Sequence, residues 1–279
     1  MTRVGRAFTS RSQCPNCDIL MRDEGCRVIV GGATEMIDDM LVEAAIRLRD
    51  DCDEYADRIV EDGLVDYVYN PLRYAWDIHE TYLRMAAGGA AGTVLLGMNP
   101  GPHGMGQMGI PFAATSMVRD VLGISSISVD QPRRVHPRRP VEGLGWRREE
   151  VSGTRLWGLL AEKYGDSSKI LSKVFLVNHC PLMLLHGERG TNVTPDKIAG
   201  DTMRGLLLRC DEHLREVVGI LKVKRVIGVG AFATKRARAA LLNEDVIIDS
   251  CWHPSPASPL ANRNGGADWR ENVGMVLPD

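Results

Sequence analysis

The sequence predicts an α/β protein, a three-layer α/β/α arrangement around a central, mostly parallel four-stranded sheet. Two observations lead there. Four short apolar runs, at 94–96, 174–177, 226–229 and 246–248, are uncharged and rich in β-branched residues, as strands buried on both faces should be. Helical stretches near 116–122, 155–163, 195–221 and 232–242 alternate with them, and β and α units in alternation build a parallel sheet covered by helices on both faces.

Taken in order, residues 1–34 have weak periodicity and many small polar residues, and are expected to form a poorly ordered extension. Residues 35–279 are expected to form one domain. Met36, Met40, Leu41, Ala44, Ala45, Leu48, Cys52, Tyr55 and Ile59 then recur at helical spacing, giving an amphipathic helix with an acidic outer face. The strand–helix alternation begins at Thr93. Parallel crossovers share one hand, so the strands end on a common rim, and ligands of open α/β sheets bind beyond that rim. Asn99 follows the first run, Asn178 ends the second, Gly228 and Gly230 sit at the third, and His253 follows the last. Three polar side chains from distant parts of the chain thus converge on one edge of the sheet.

The bulk composition sets bounds. The chain has 279 residues, 44% hydrophobic and 25% charged, an ordinary globular composition. Nothing approaches 18 consecutive uncharged apolar residues, so no membrane span is expected, and residues 1–13 lack the apolar core of a secretory signal. Seven scattered cysteines do not form a disulfide framework and fit a reducing, intracellular compartment. The net charge of −2 hides a strong segregation. Residues 35–80 hold 14 acids against 4 bases, residues 131–148 six arginines against one glutamate, and residues 222–238 six bases and no acid. Such runs are solvated surface in most proteins, but local positive charge is what phosphate contact requires.

Several motifs stand out. Gly97-Met98-Asn99-Pro100-Gly101-Pro102 opens a long Gly-rich loop that continues to Phe112, and long ordered loops in compact domains tend to be functional. A Phe such as Phe112 is by default a core residue. A lone histidine is more often structural, but His253, pinned at a strand end inside Trp252-His253-Pro254-Ser255-Pro256-Ala257-Ser258-Pro259, is a better catalytic candidate. Two rival readings compete. Gly228-Val229-Gly230-Ala231-Phe232-Ala233 has the G-x-G-x-x-A form of a dinucleotide fingerprint, but too little sequence follows it to complete such a sheet. Cys14 and Cys17 with Cys26 resemble part of a zinc site, whose fourth ligand is missing unless Cys52 leaves its helix.

These residues lead to a family. Leu96 through Pro102, followed by Gly104-Met105, Gln107, Gly109 and Pro111-Phe112, resembles the first motif of the single-strand-selective monofunctional uracil-DNA glycosylases. His253-Pro254-Ser255-Pro256 with Pro259 and Ala261-Asn262 resembles the second. Tyr69-Asn70-Pro71, Tyr74-Ala75-Trp76, 116–120, 136–141, Val151-Ser152-Gly153, Asn178 with Cys180-Pro181-Leu182, and Val229-Gly230 extend the similarity from about residue 67 to 262.

The resemblance implies a uracil-DNA glycosylase-like fold and a monofunctional glycosylase that flips uracil, and 5-hydroxymethyluracil or related pyrimidines, out of single- and double-stranded DNA. It implies that Phe112 stacks on the flipped base and that Asn178 reads its Watson–Crick edge, since one amide supplies donor and acceptor. Met98 and Gly101 would line the base pocket, Asn99 would hold the attacking water, and His253 would hydrogen-bond the charge developing on the pyrimidine oxygen. Pro254, Ser255, Pro256, Ala257, Ser258, Pro259 and Asn262 would form a wedge into the duplex. No metal or organic cofactor is implied; the partner is DNA carrying uracil or a modified uracil, met by a monomer inside the cell. Departures from the family pattern are His103 in place of its usual Phe, Ala257-Ser258 in place of Arg-Asn, and Trp252 before His253. The competing expectation, a non-catalytic nucleic-acid-binding relative, is opposed by intact Asn99 and His253.

Overall fold

All four apolar runs enter one sheet in the computed structural model, which describes residues 31–279. In chain order the elements are α1 (Gly31–Glu61), β1 (Tyr67–Tyr69), α2 (Pro71–Tyr74), α3 (Trp76–Gly89), β2 (Thr93–Gly97), α4 (Met105–Met108), α5 (Thr115–Asp120), α6 (Val151–Tyr164), α7 (Ser167–Lys173) and β3 (Val174–Asn178). There follow β4 (Met183–His186), β5 (Thr191–Val193), α8 (Asp201–Leu221), β6 (Arg225–Val229), α9 (Ala231–Ala240), β7 (Ile247–Cys251), α10 (Pro259–Asn262) and α11 (Ala267–Gly274).

The main sheet has the order β3-β2-β6-β7, and every pairing in it is parallel. Central β2 and neighbouring β3 are buried throughout, which explains their unbroken apolar sequences. Gly97 pairs with Asn178, so both strands end at one level. From β2 the chain passes to β3 on one side, whereas β6 leads to β7 on the other. This reversal between β2 and β6 opens a crevice at their carboxyl ends, where α/β folds bind ligands.

A second sheet, antiparallel and ordered β1-β4-β5, lies outside the expectations from sequence. Its strands have three or four residues, too short for period-two alternation to register. The helix of the N-terminal region begins at Gly31, so the last four residues of the expected extension belong to α1. The remainder of that extension, including Cys14, Cys17 and Cys26, lies outside the described residues.

The core forms around β2 and β3. Tyr82 stacks on Phe175 with ring centroids 5.4 Å apart, and its hydroxyl both donates to the Leu176 carbonyl and accepts from the Leu176 amide, each at 3.0 Å. Helix α1 packs on α3 and α8 and presents acids to arginines. Arg73 pairs with Asp50 and Asp53, Arg209 with Asp51, and Arg133 with Asp53 and Asp57. The acidic flank therefore neutralises one arginine of the 131–148 segment. In the other basic segment, Arg225 pairs with Asp249 and Arg236 with buried Asp211.

Two buried histidines give the fold a pH dependence. Burial pushes His79 down to about 4; burial and then Arg209 push His213 to about 3. Both refuse a proton in the folded state that the unfolded chain accepts below its ordinary 6.5. Stability is therefore complete above pH 6.5 and falls as pH descends toward the folded values. At pH 5 the loss is expected to be about 2 kcal/mol per histidine. Urea unfolding at pH 7 and pH 5 measures it, and equal midpoints would contradict the assignment.

Candidate functional site

A cavity of about 470 Å³ opens at the carboxyl ends of the main sheet. It is lined by Met98, Asn99, Gly101, Pro102 and His103 from the loop after β2, by Met105 and Phe112, by Asn178 at the end of β3, and by His253, Ser255 and Pro256 after β7. Glu150, Ser152, Asn192 and Thr194 complete it. The site residues expected from sequence for base and water are thus brought together in one place.

Glycines allow the approach. A Cβ on Gly97 would lie 2.1 Å from Asn178 Oδ1 and 2.6 Å from Phe112 Cε2, so the bare backbone at the end of β2 lets amide and ring close in from two sides. Gly230, at φ 91°, runs so close to His253 that a Cβ would stand 3.2 Å from the histidine's own. Gly228 lies against Thr234, whose hydroxyl donates to the Gly228 and Gly230 carbonyls at 3.2 and 2.9 Å. The two glycines of the dinucleotide-like pattern thus serve strand–helix packing and the approach to His253.

Phe112 is 9% exposed and adopts φ 54°, left-handed backbone that costs a bulky residue on the order of 1–3 kcal/mol. Its carbonyl passes so near Gly153 that a Cβ there would be 2.2 Å away. The ring centroid stands 5.9 Å from that of His253, tilted by 44°.

The histidine's state is readable from its contacts. The Ser255 amide donates to His253 Nδ1 at 3.1 Å, which leaves the proton of the neutral ring on Nε2. Burial lowers its pKa from the ordinary value, so the imidazole is neutral at pH 7. Asn178 Nδ2 reaches only the Met105 sulfur, a weak acceptor, at 3.1 Å. The Asn99 Nδ2 is buried and has no hydrogen-bond acceptor among the described residues.

The loop after His253 is braced from behind. Arg155 donates to the Pro254 carbonyl at 3.0 Å and to Asn262 Oδ1 at 2.9 Å, and Asn262 Nδ2 donates to the Pro256 carbonyl at 2.8 Å. The Ser258 amide donates to the Ser255 carbonyl at 2.9 Å. Pro256, Ala257 and Pro259 form the exposed crest, whereas Pro254 is buried. Asn262 spends one end of its amide on the loop and the other on Arg155 of α6.

Three lining residues, Glu150, Asn192 and Thr194, escape the sequence motifs, and Ser152 was matched without a role. Asn192 and Thr194 come from and just beyond β5, in the small sheet, with Asn192 Nδ2 donating to the Pro100 carbonyl at 3.0 Å. Glu150 and Ser152 flank the start of α6; burial raises the Glu150 pKa, and a Cβ on Gly101 would lie 2.8 Å from its carboxylate. The adjoining Val151-Ser152-Gly153 match was the available signal.

No protein-family profile matches the sequence. Among characterised proteins, the chain is 42% identical over 212 residues to a single-strand selective monofunctional uracil DNA glycosylase of Bos taurus, covering 75% of this chain and 77% of that one. It is 41% identical over 211 residues to the Rattus norvegicus protein of the same description, covering 75% of each. Among solved structures, wild-type Pedobacter heparinus SMUG2 superposes with a TM-score of 0.52 at 14% identity, covering 79% of this chain and 94% of that one. That likeness speaks to the fold.

Proposed function

The chain belongs to the family of single-strand selective monofunctional uracil-DNA glycosylases, and from that premise we propose that it excises uracil from DNA as the first step of base excision repair. The observation that carries this reading is the convergence of Asn99, Phe112, Asn178 and a neutral, Nε2-protonated His253 on one cavity.

In this reading the pyrimidine leaves the base stack and lies against Phe112, with its Watson–Crick edge on the Asn178 amide. Asn99 orients a water toward C1′ of the sugar. An amide is no useful base, so departure of the leaving group must lead. The C1′–N1 bond breaks toward an oxocarbenium-like sugar and an anionic uracil, and the His253 Nε2–H hydrogen-bonds the charge gathering on the pyrimidine oxygen. Water then adds to C1′, and its proton ultimately neutralises the released base. No lysine lines the cavity, which suits hydrolysis without a Schiff base. A cavity of about 470 Å³ also leaves room for a substituent on the ring, and 5-hydroxymethyluracil and related oxidised pyrimidines belong to the proposed range. Met98 and Gly101 form part of the wall that such a base would meet. The chain works as a monomer wherever the cell keeps its DNA, and among the described residues no helix is long and apolar enough to cross a membrane.

Incubation with a uracil-containing oligonucleotide, followed by alkali, tests the reading. Strand scission at the uracil is expected. Binding without scission under single-turnover conditions would overturn it in favour of a non-catalytic relative.

The crest after His253 sets a preference among substrates. Flipping a base from a duplex costs a few kcal/mol, least where the base is mispaired or unpaired. Exposed Ala257 offers neither bulk to fill the gap nor charge to meet phosphate. The expected order of single-turnover rates is single strand, then U:G, then U:A, and Ala257→Arg should accelerate mainly the paired substrates. Equal rates on U:A and single-stranded DNA in the unmodified protein would refute this.

A further inference from the structure

A second cleft, of about 600 Å³, opens beside the base cavity, and His103 lines both. Its other walls carry four arginines, Arg138, Arg139, Arg147 and Arg148, against a single carboxylate, Glu142. Of the six arginines in this segment, Arg133 is taken by Asp53 and Asp57, and Arg134 lies over the Tyr67 ring at 4.5 Å. Arg139 is oriented by donating to the Gly190 carbonyl at 2.7 Å. Arg138, Arg147 and Arg148 are exposed and form no ion pair among the described residues.

The cleft also has an aromatic surface. The His103 ring stacks on Trp146 with centroids 5.6 Å apart and planes within 12°. Burial, then Arg148 and Arg139, hold His103 down to about 4, so the imidazole stays neutral beside the guanidinium groups. Flat uncharged rings rimmed by cations match one ligand chemistry well. Single-stranded nucleic acid is gripped by stacking its bases on aromatic rings while basic side chains follow its backbone.

We propose that this cleft binds the nucleotide adjacent to the flipped one, its phosphate against Arg138, Arg147 and Arg148 and its unpaired base against the Trp146–His103 pair. The proposal rests on the excision reading for its placement along the DNA. The braced crest after His253 bounds the cavity elsewhere, so the strand meets a proline-rich surface and a basic, aromatic one around the same flipped base.

The test uses a uracil-free single-stranded 16-mer and its duplex, with binding followed by fluorescence anisotropy across a salt series. Each phosphate contact in a single strand contributes about 0.7 to the slope of log affinity against log salt. Arg147→Gln/Arg148→Gln should therefore flatten the single-strand slope by about 1.4. Trp146→Leu should weaken single-strand binding on the order of 10-fold and leave the duplex within about twofold, because a paired base offers no free face. An unchanged slope in the arginine variant, or equal weakening of both forms by Trp146→Leu, would overturn the proposal. Because the probe lacks uracil, the result is independent of excision. A protein that gives these shifts yet never cuts uracil-DNA refutes only the excision reading, and one that cuts with an unchanged slope refutes only the cleft.

Discussion

Replacing His253 with alanine is expected to reduce the single-turnover rate of uracil release by about 10²–10³, the usual worth of one well-placed donor to a developing oxyanion. The imidazole fulfils the conditions for that role: its Nδ1 is occupied by the Ser255 amide, so the Nε2 proton is free for substrate. Affinity for uncut DNA should change little, since the interaction strengthens only as charge develops. A pH profile supplies a second reading. Burial lowers the His253 pKa from its ordinary value, so the neutral form predominates at neutral pH and the rate should change little between pH 7 and 8. A titration of the rate centred above 6.5 that vanishes in His253→Ala would show that the imidazolium is the working form. A variant retaining near wild-type rates would remove His253 from the mechanism.

Asn99→Ala should likewise cost at least about 10² in rate, the scale of losing the orientation of a reacting group. Its effect on stability should be small. Asn99 Nδ2 has no hydrogen-bond acceptor among the described residues, so truncation breaks no hydrogen bond of that donor within the fold. The variant should melt close to the parent temperature while losing activity. Thermal unfolding beside single-turnover kinetics checks both halves. A marked fall in melting temperature would instead make Asn99 a structural residue whose loss disturbs the loop after β2.

How much of this was legible in the sequence depended on the length scale of each signal. Strands buried on both faces leave apolar runs that survive inspection, as at 94–96, 174–177 and 226–229. The run 246–248 also marks a strand, but β7 is an edge strand, mostly exposed or half-buried, and not the doubly buried one expected. The three-residue strands β1 and β5 leave no such trace, and with them went Asn192 and Thr194. Asn99, Asn178 and His253 could be placed on a common rim because strand ends are topologically fixed. Glu150 reaches the cavity from the end of a helix, a position that periodicity does not aim. Charge was the least readable signal. Arg133, Arg225 and Arg236 look like their neighbours in sequence, yet each is consumed by an aspartate distant from it in the chain. Only folding distinguishes a guanidinium already paired from one still available.

The bracing of the loop after His253 bears on how the protein searches. Three prolines and the Arg155–Asn262 clasp fix the crest before any DNA arrives, so little chain entropy remains to be lost on contact. In the proposed role of a wedge, a crest that need not reorganise adds no ordering step to the test of a base pair. Loosening the clasp, as in Arg155→Ala, would burden every encounter with an ordering step. The damage would then show as slow interrogation of long DNA, even where release of uracil from a short single strand proceeds at its normal pace.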